Sequence, residues 1–306
     1  MSGSNVLFDA QGPRGRRISL IFSILGALVV LAGLAWILAI LAAPRTAGGG
    51  LTLPGMFDPS RWDIYADPQV WGAIGRGALA TLRAAGIAAV GAVALGVVFA
   101  LLRSAATAWI RIPTAIVLEF FRGMPVLLMM LFILLVASTG AFWAVVIALV
   151  IYNGALIGEA LRAGLAALPR GQREAGLSLG LRPLQSRMLI EFPQAFRQML
   201  PVIVAQLVVL LKDTSLGYIV GYPELIRTTM NNLASFYGNR YLFSLFVVTL
   251  VVYLVMNLSL SWFARWLSRR TASGGSRRSR SAGPPVDPDQ AILLAQASSP
   301  SEAPAR

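Results

Sequence analysis

Glu174-Ala175-Gly176, then Gly180, then Ile190-Glu191-Phe192-Pro193 stand in a polar, Arg-rich segment bracketed by long apolar runs. The chemistry of such a segment is recognition: a short helix with one close-approach face suits a partner's groove. A second polar group, Lys212, Asp213, Thr214 and Ser215, follows directly on the apolar run Leu207 to Leu211. Ionisable residues at membrane depth face a bundle interior, a pathway or each other. Lys212 therefore either receives the carboxylates of a passing solute or belongs to a structural polar cluster between subunits. Asn153 has the same two readings, pathway contact or interhelical hydrogen bond. Glu159 and Arg162 are three residues apart, as are Glu119 and Arg122. That spacing pairs them along a helix face, where they brace helix ends.

Absences narrow the chemistry. The chain has no Cys and no His, so disulfides, thiolates and imidazole are all missing. No metal site is expected. Its single Lys, Lys212, is followed by Asp213, so no G-x-x-x-x-G-K-[ST] phosphate loop exists. Any ATP and magnesium must be bound by another polypeptide. No nucleophile-plus-base spacing stands out, which sets a membrane-embedded protease or acyltransferase far behind. A net charge of +13 would suggest nucleic acid in a soluble chain. Here the basic residues lie beside apolar runs, so they report membrane topology and no nucleic acid is expected.

The elements that carry these groups are apolar helices. With 57% hydrophobic and 13% charged residues, the chain reads as an all-α polytopic membrane protein. Six spans are expected, at about 18–43, 84–102, 116–137, 142–161, 199–220 and 241–266. The first is too long for a signal peptide and is read as a retained extra helix. Around it lie a cytoplasmic segment, 1–17, and an external loop, 44–74, whose Trp62, Tyr65 and Trp71 suit an interface. A transmembrane domain covers 75–266, and a disordered cytoplasmic tail covers 267–306. Ala84, Ala88, Ala92, Gly96 and Ala100 form a small-residue stripe that permits close helix approach. Ser138-Thr139-Gly140-Ala141 joins spans three and four as a tight hairpin. The Arg bias puts both termini and the 162–198 segment in the cytoplasm.

Within that segment, Leu168-Pro169-Arg170-Gly171 is a turn signal, with Pro169 suited to a helix start. A helix is expected over 172–179, with Glu174 in its first turn and Gly180 as its stop. Ala175, Gly176, Leu177 and Leu181 would form one apolar close-approach face. Pro183 and Pro193 punctuate the return into span five.

Taken together the motifs resemble a known family. They are Glu119-Phe120-Phe121-Arg122-Gly123-x-Pro125, Glu159-x-x-Arg162-x-Gly164, Pro169-x-Gly171-Gln172-x-Glu174-Ala175, Pro193-Gln194-Ala195 and Lys212-Asp213-Thr214-Ser215-Leu216. Their joint occurrence over roughly 75–265 looks like ABC-transporter permeases of the polar amino acid uptake family. Tyr152-Asn153-Gly154 with Gly221-Tyr222 is most similar to actinobacterial glutamate-type permeases. Departures are Gly176 where Ala is usual, Phe192 where Leu is usual and Met124 where Thr is frequent. The resemblance implies a type I importer permease fold in a bacterial plasma membrane. It implies two ABC ATPase subunits, a second permease subunit (a paralogue before an identical copy) and an external amino-acid-binding protein. Pro169, Gly171, Gln172, Glu174, Ala175, Gly176, Gly180 and Pro193 would form the coupling helix and its frame. The implied cargo is glutamate or aspartate, then glutamine or asparagine, then basic amino acids. A channel is the remaining alternative, disfavoured because a passive pore needs no ATPase socket.

Overall fold

The computed structural model describes residues 12–46 and 52–272. A long helix α1 (Pro13–Ala42) leads into a two-residue strand pair, β1 (Arg45–Thr46) and β2 (Thr52–Leu53). Helices α2 (Pro68–Arg103), α3 (Ala108–Gly123), α4 (Val126–Ala137) and α5 (Ala141–Ala166) follow. Short helices α6 (Arg170–Ser178) and α7 (Pro183–Ser186) precede α8 (Phe192–Asp213). After a connecting segment with α9 (Ala234–Tyr237), α10 (Leu242–Ala272) ends the described chain. Among the described residues five helical stretches can cross a membrane, and α3 with α4 makes a sixth if counted as one bent span.

Three expected boundaries move. The helix that carries span two begins at Pro68, well ahead of the expected 84. The cause is local: Asp67 Oδ1 accepts the Gln69 N–H at 2.8 Å, and Pro68 supplies a pre-set φ for the first turn. Span three is two helices meeting at 101°. Pro125 forces the preceding residue out of the helical region, and Met124 sits at φ −84°, ψ 129°. At the far end, α10 continues to Ala272, beyond the expected start of the tail at 267. The expected disorder of the rest of the tail, and most of the N-terminal segment, lie outside the described residues.

The chain divides into two compact units, 1–83 with 217–254 and 84–216 with 255–306. In the first, Thr81 Oγ1 accepts the Leu225 N–H at 3.2 Å and the Tyr222 hydroxyl donates to Ala80 O at 2.8 Å. A Cβ on Gly77 would fall 3.0 Å from Leu225 Cα, so the backbones meet there because a side chain is missing. Trp62, Tyr65 and Trp71 pack on one another, with ring centroids 6.0 and 5.6 Å apart.

In the second unit α5 is the axis, and most of its length is buried. Lipid offers no hydrophobic drive for helix association, so packing has to come from close backbone approach. The expected stripe does this: Ala84, Ala88, Ala92 and Ala100 are fully buried, and Gly96 lies against Ile157. A Cβ on Gly158 would fall 2.8 Å from Phe99 Cβ and 3.1 Å from Gly96 O. On the other side of α5, a Cβ on Gly164 would meet Met199 of α8 at 2.5 Å. The α4–α5 hairpin is as tight as expected, with Ser138 at φ 48° and Gly140 at φ 77°.

Gly158→Val should therefore lower thermal stability in detergent by about 1–3 kcal/mol, as overpacking does. Gly86→Ala, with open space around its Cβ position, should leave the melting temperature unchanged or raise it. Thermal unfolding followed by size-exclusion fluorescence compares the two.

Candidate functional site

The segment between α5 and α8 is a compact hairpin of short helices. The chain leaves α5 with the Leu168 N–H donating to Leu165 O at 3.4 Å. Pro169 then stands at the N-cap, and α6 starts at Arg170, two residues earlier than expected. This earlier start moves Glu174 out of the first turn, so it is not placed to complement the helix dipole. The C-terminus agrees with expectation. Gly180 takes φ +78°, the Gly180 N–H donates to Leu177 O at 3.0 Å, and the Leu181 N–H donates to Gly176 O at 3.3 Å. Those two bonds form the paired closure that lets a glycine end a helix sharply.

Gly176 fastens the hairpin. It is buried, and a Cβ on it would fall 2.3 Å from Ser186 Oγ and 3.0 Å from Ser186 Cβ and Ile190 Cδ1. Of the four residues expected on one apolar face, Gly176 packs inward on α7. Ala175 and Leu177 are exposed and Leu181 is half-buried. A second tie joins α6 to α8, where Gln194 Nε2 donates to Gln172 Oε1 at 3.1 Å and to Ile190 O at 2.8 Å. Pro193 occupies the first turn of α8, after a wide turn over Arg187–Glu191. Held this way, Glu174 is exposed, and so are three leucines of the same hairpin. Leu179 is 78% exposed, Leu184 66% and Leu189 68%. An anchored helix with exposed leucines and one carboxylate is what a docking surface requires.

The expected ion pairs are formed. Arg162 holds Glu159 at 2.6 Å, with Arg103 of α2 at 3.9 Å on the other side, and Arg122 holds Glu119 at 3.2 Å. The pathway candidates separate. Asn153 is fully buried, donates to Leu149 O at 2.9 Å and accepts from Gln206 Nε2 at 2.9 Å. Its amide bridges α5 to α8, which is the interhelical reading. Lys212 lies in the last turn of α8, and it is exposed. Asp213 and Ser215 are half-buried, while Thr214 is buried and donates to Leu211 O at 2.7 Å. Lys212 alone of this group is exposed.

Three polar residues were missed from sequence. Gln206 was visible as the single polar residue interrupting the apolar run 201–211. Gln194 stood inside a recognised motif without an assigned partner. Glu224, in the first unit, had no signal beyond its proline neighbour. It is fully buried, and its carboxylate accepts from the Ile226 and Arg227 N–H groups and from the Tyr253 hydroxyl. Burial pushes its carboxyl above the usual carboxylate range against those three donors.

These features define a class: a multi-pass helical membrane protein with a compact hairpin of short helices between two of its long ones. Residues 92–273 match the family described as the binding-protein-dependent transport system inner membrane component. The chain is 36% identical over 247 residues to the glutamate transport system permease protein of Corynebacterium glutamicum, covering 78% of this chain and 89% of that protein. It is 34% identical over 199 residues to a probable glutamine ABC transporter permease protein of Bacillus subtilis, covering 63% and 91%. Among solved structures, an amino acid ABC transporter crystallised with histidines matches with a TM-score of 0.60 and 28% identity. That match covers 70% of this chain and 98% of the other. The chain belongs to the family of inner membrane components of binding-protein-dependent transport systems. It is a transport component and not an enzyme, and its energy comes from a partner ATPase.

The packing at Gly176 gives a direct test. Gly176→Val should free the hairpin and speed tryptic cleavage at Arg170 and Arg173 severalfold. Gly171→Ala, whose Cβ position is open, should cleave like the wild type. Quantitative time-course proteolysis of the full chain reads both.

Proposed function

We propose that this chain is one of two permease subunits through which a bacterial importer passes an acidic amino acid, glutamate before aspartate. The single observation that carries the coupling part is the anchored knob. α6 is tied to α7 at Gly176 and to α8 through Gln172 and Gln194, and its exposed side carries Glu174. Pro169, Gly171, Ala175, Gly180 and Pro193 shape and frame that knob. In this reading α6 seats in a surface groove of one ATPase subunit, and a second ATPase serves the second permease subunit, a paralogue of this chain. The loop and both termini face the cytoplasm, as the Arg distribution favours. ATP and magnesium stay on the ATPase pair, and this chain binds no cofactor. Closure of that pair moves α6 as a rigid body and switches the helices between outward- and inward-open states. An external binding protein delivers the amino acid.

Glutamate is supported by the name of the Corynebacterium relative, which this chain follows over most of its length. Lys212 suits it chemically, being an exposed cation in the last turn of α8 that can meet a carboxylate. The half-buried Asp213 and Ser215 stand beside it, while Thr214 is buried and holds the helix end. Glutamine is the second reading, favoured by the name of the Bacillus relative.

Glu174→Lys should cut uptake more than tenfold while leaving membrane assembly intact, since reversing a charge buried at an interface costs roughly 2–5 kcal/mol. Normal uptake at normal expression would remove the docking assignment. For cargo, melting of the cognate external binding protein should rise with glutamate above any other amino acid in a panel. A larger rise with glutamine selects the second reading. Lys212→Met should lower substrate-stimulated ATPase activity in the assembled transporter, and full stimulation would exclude Lys212 from binding.

A further inference from the structure

The coupling knob leaves one feature unexplained, a cavity of about 330 Å³ behind it within the second unit. Six arginines line it: Arg103 at the end of α2, Arg111 in the first turn of α3, Arg162 of α5, Arg170 and Arg173 of α6, and Arg187 of the wide turn. Only Arg103 and Arg162 have a carboxylate partner within 4 Å among the described residues, and they share Glu159. Glu191 is the one acid in the lining. Arg103 Nε is shielded from solvent and donates to no acceptor. Like charges gathered at this density repel one another unless an anion is seated among them. Guanidinium forks match phosphate oxygens two at a time, which makes phosphate the fitting anion.

The surroundings decide where the phosphate comes from. The wall carrying Arg111 is the start of α3, an amphipathic helix set at 101° to α4. Trp109 on that helix is 88% exposed, and Ile110, Ile112 and Ile116 are exposed beside it. Arginine with tryptophan and isoleucine on an exposed helix is the composition of a segment lying at the headgroup level. On the α2 side, Val98 and Leu102 are exposed just before Arg103, at the end of an apolar span. The cavity is therefore flanked by surface suited to acyl chains. Basic pockets between spans at the membrane boundary bind anionic headgroups.

We infer that this cavity holds the phosphate of an anionic phospholipid, whose chains lie along the exposed faces of α2 and α3. The bound headgroup bridges α2, α3, α5 and α6, so it stiffens the base on which the knob stands. The site requires only that the chain sit in a membrane, and it stands apart from the reading of cargo.

The test uses the full chain purified in mild detergent, with phosphatidylglycerol, phosphatidylcholine or glycerol 3-phosphate added at equal concentrations. Native mass spectrometry should show retained phosphatidylglycerol, and melting should rise with that lipid alone. Arg111→Gln and, separately, Arg170→Gln should each weaken retention about fivefold, from roughly 1 kcal/mol per basic residue near an anionic surface. Their melting in phosphatidylcholine should match the wild type. Equal retention of the two lipids, or equal stabilisation by glycerol 3-phosphate, overturns the assignment. So does an Arg111→Gln chain that keeps its lipid but loses capture of the ATPase, because the arginines would then hold a partner's carboxylate.

Discussion

Close backbone approach at small residues is the constraint on which the second unit depends. Apolar side chains gain little by leaving lipid for other apolar side chains, so association must come from van der Waals contact and satisfied polar groups. The stripe on α2 meets Gly154 and Gly158 of α5, and Gly164 of α5 meets Met199 of α8. Each contact is closed by the absence of a methyl group. A polar bridge from Gln206 to the fully buried Asn153 adds a hydrogen bond between α5 and α8. The result is a packed centre with apolar residues exposed at its periphery, as a lipid-facing protein permits.

The same device reappears in the loop for a different purpose. Gly176 lets α6 approach α7 closely enough that the short hairpin has a fixed geometry instead of a flexible tether. A helix of nine residues is marginal alone. It holds its shape here because Pro169 presets its entry, the Gly180 turn closes its exit, and Gln194 ties its side. Rigidity is necessary if motion of a partner is to be passed on, because a loose loop would absorb the displacement.

Much of this was legible from residue types, and the failures have physical reasons. The small-residue stripe, the Glu159–Arg162 and Glu119–Arg122 pairs and the Gly180 stop follow from spacing and backbone preference alone. The bend at Met124-Pro125 was equally local, yet placing one span over 116–137 on hydropathy hid it, because hydropathy measures burial in lipid and says nothing of direction. The early start of α2 was signalled by Asp67-Pro68, but Gly72, Gly75, Arg76 and Gly77 broke the apolar pattern that was used to place the span. Glu224 could not be foreseen as buried. Its environment is made by Tyr253 and two backbone N–H groups, and only the fold brings that tyrosine to it.

The arrangement of α8 connects the two ends of the problem. Its 22 residues extend roughly 33 Å at 1.5 Å per residue. One end carries Pro193 and Gln194, which hold the knob, and the other carries Lys212. Between them Gln206 pins the helix to α5, and Pro201 removes one backbone hydrogen bond. A helix pinned past its middle and weakened nearer one end transmits tilt more readily than translation. A displacement delivered at the knob would thus reach the Lys212 end as a change in inclination. On the proposed reading, neither end would need to contact the other's ligand.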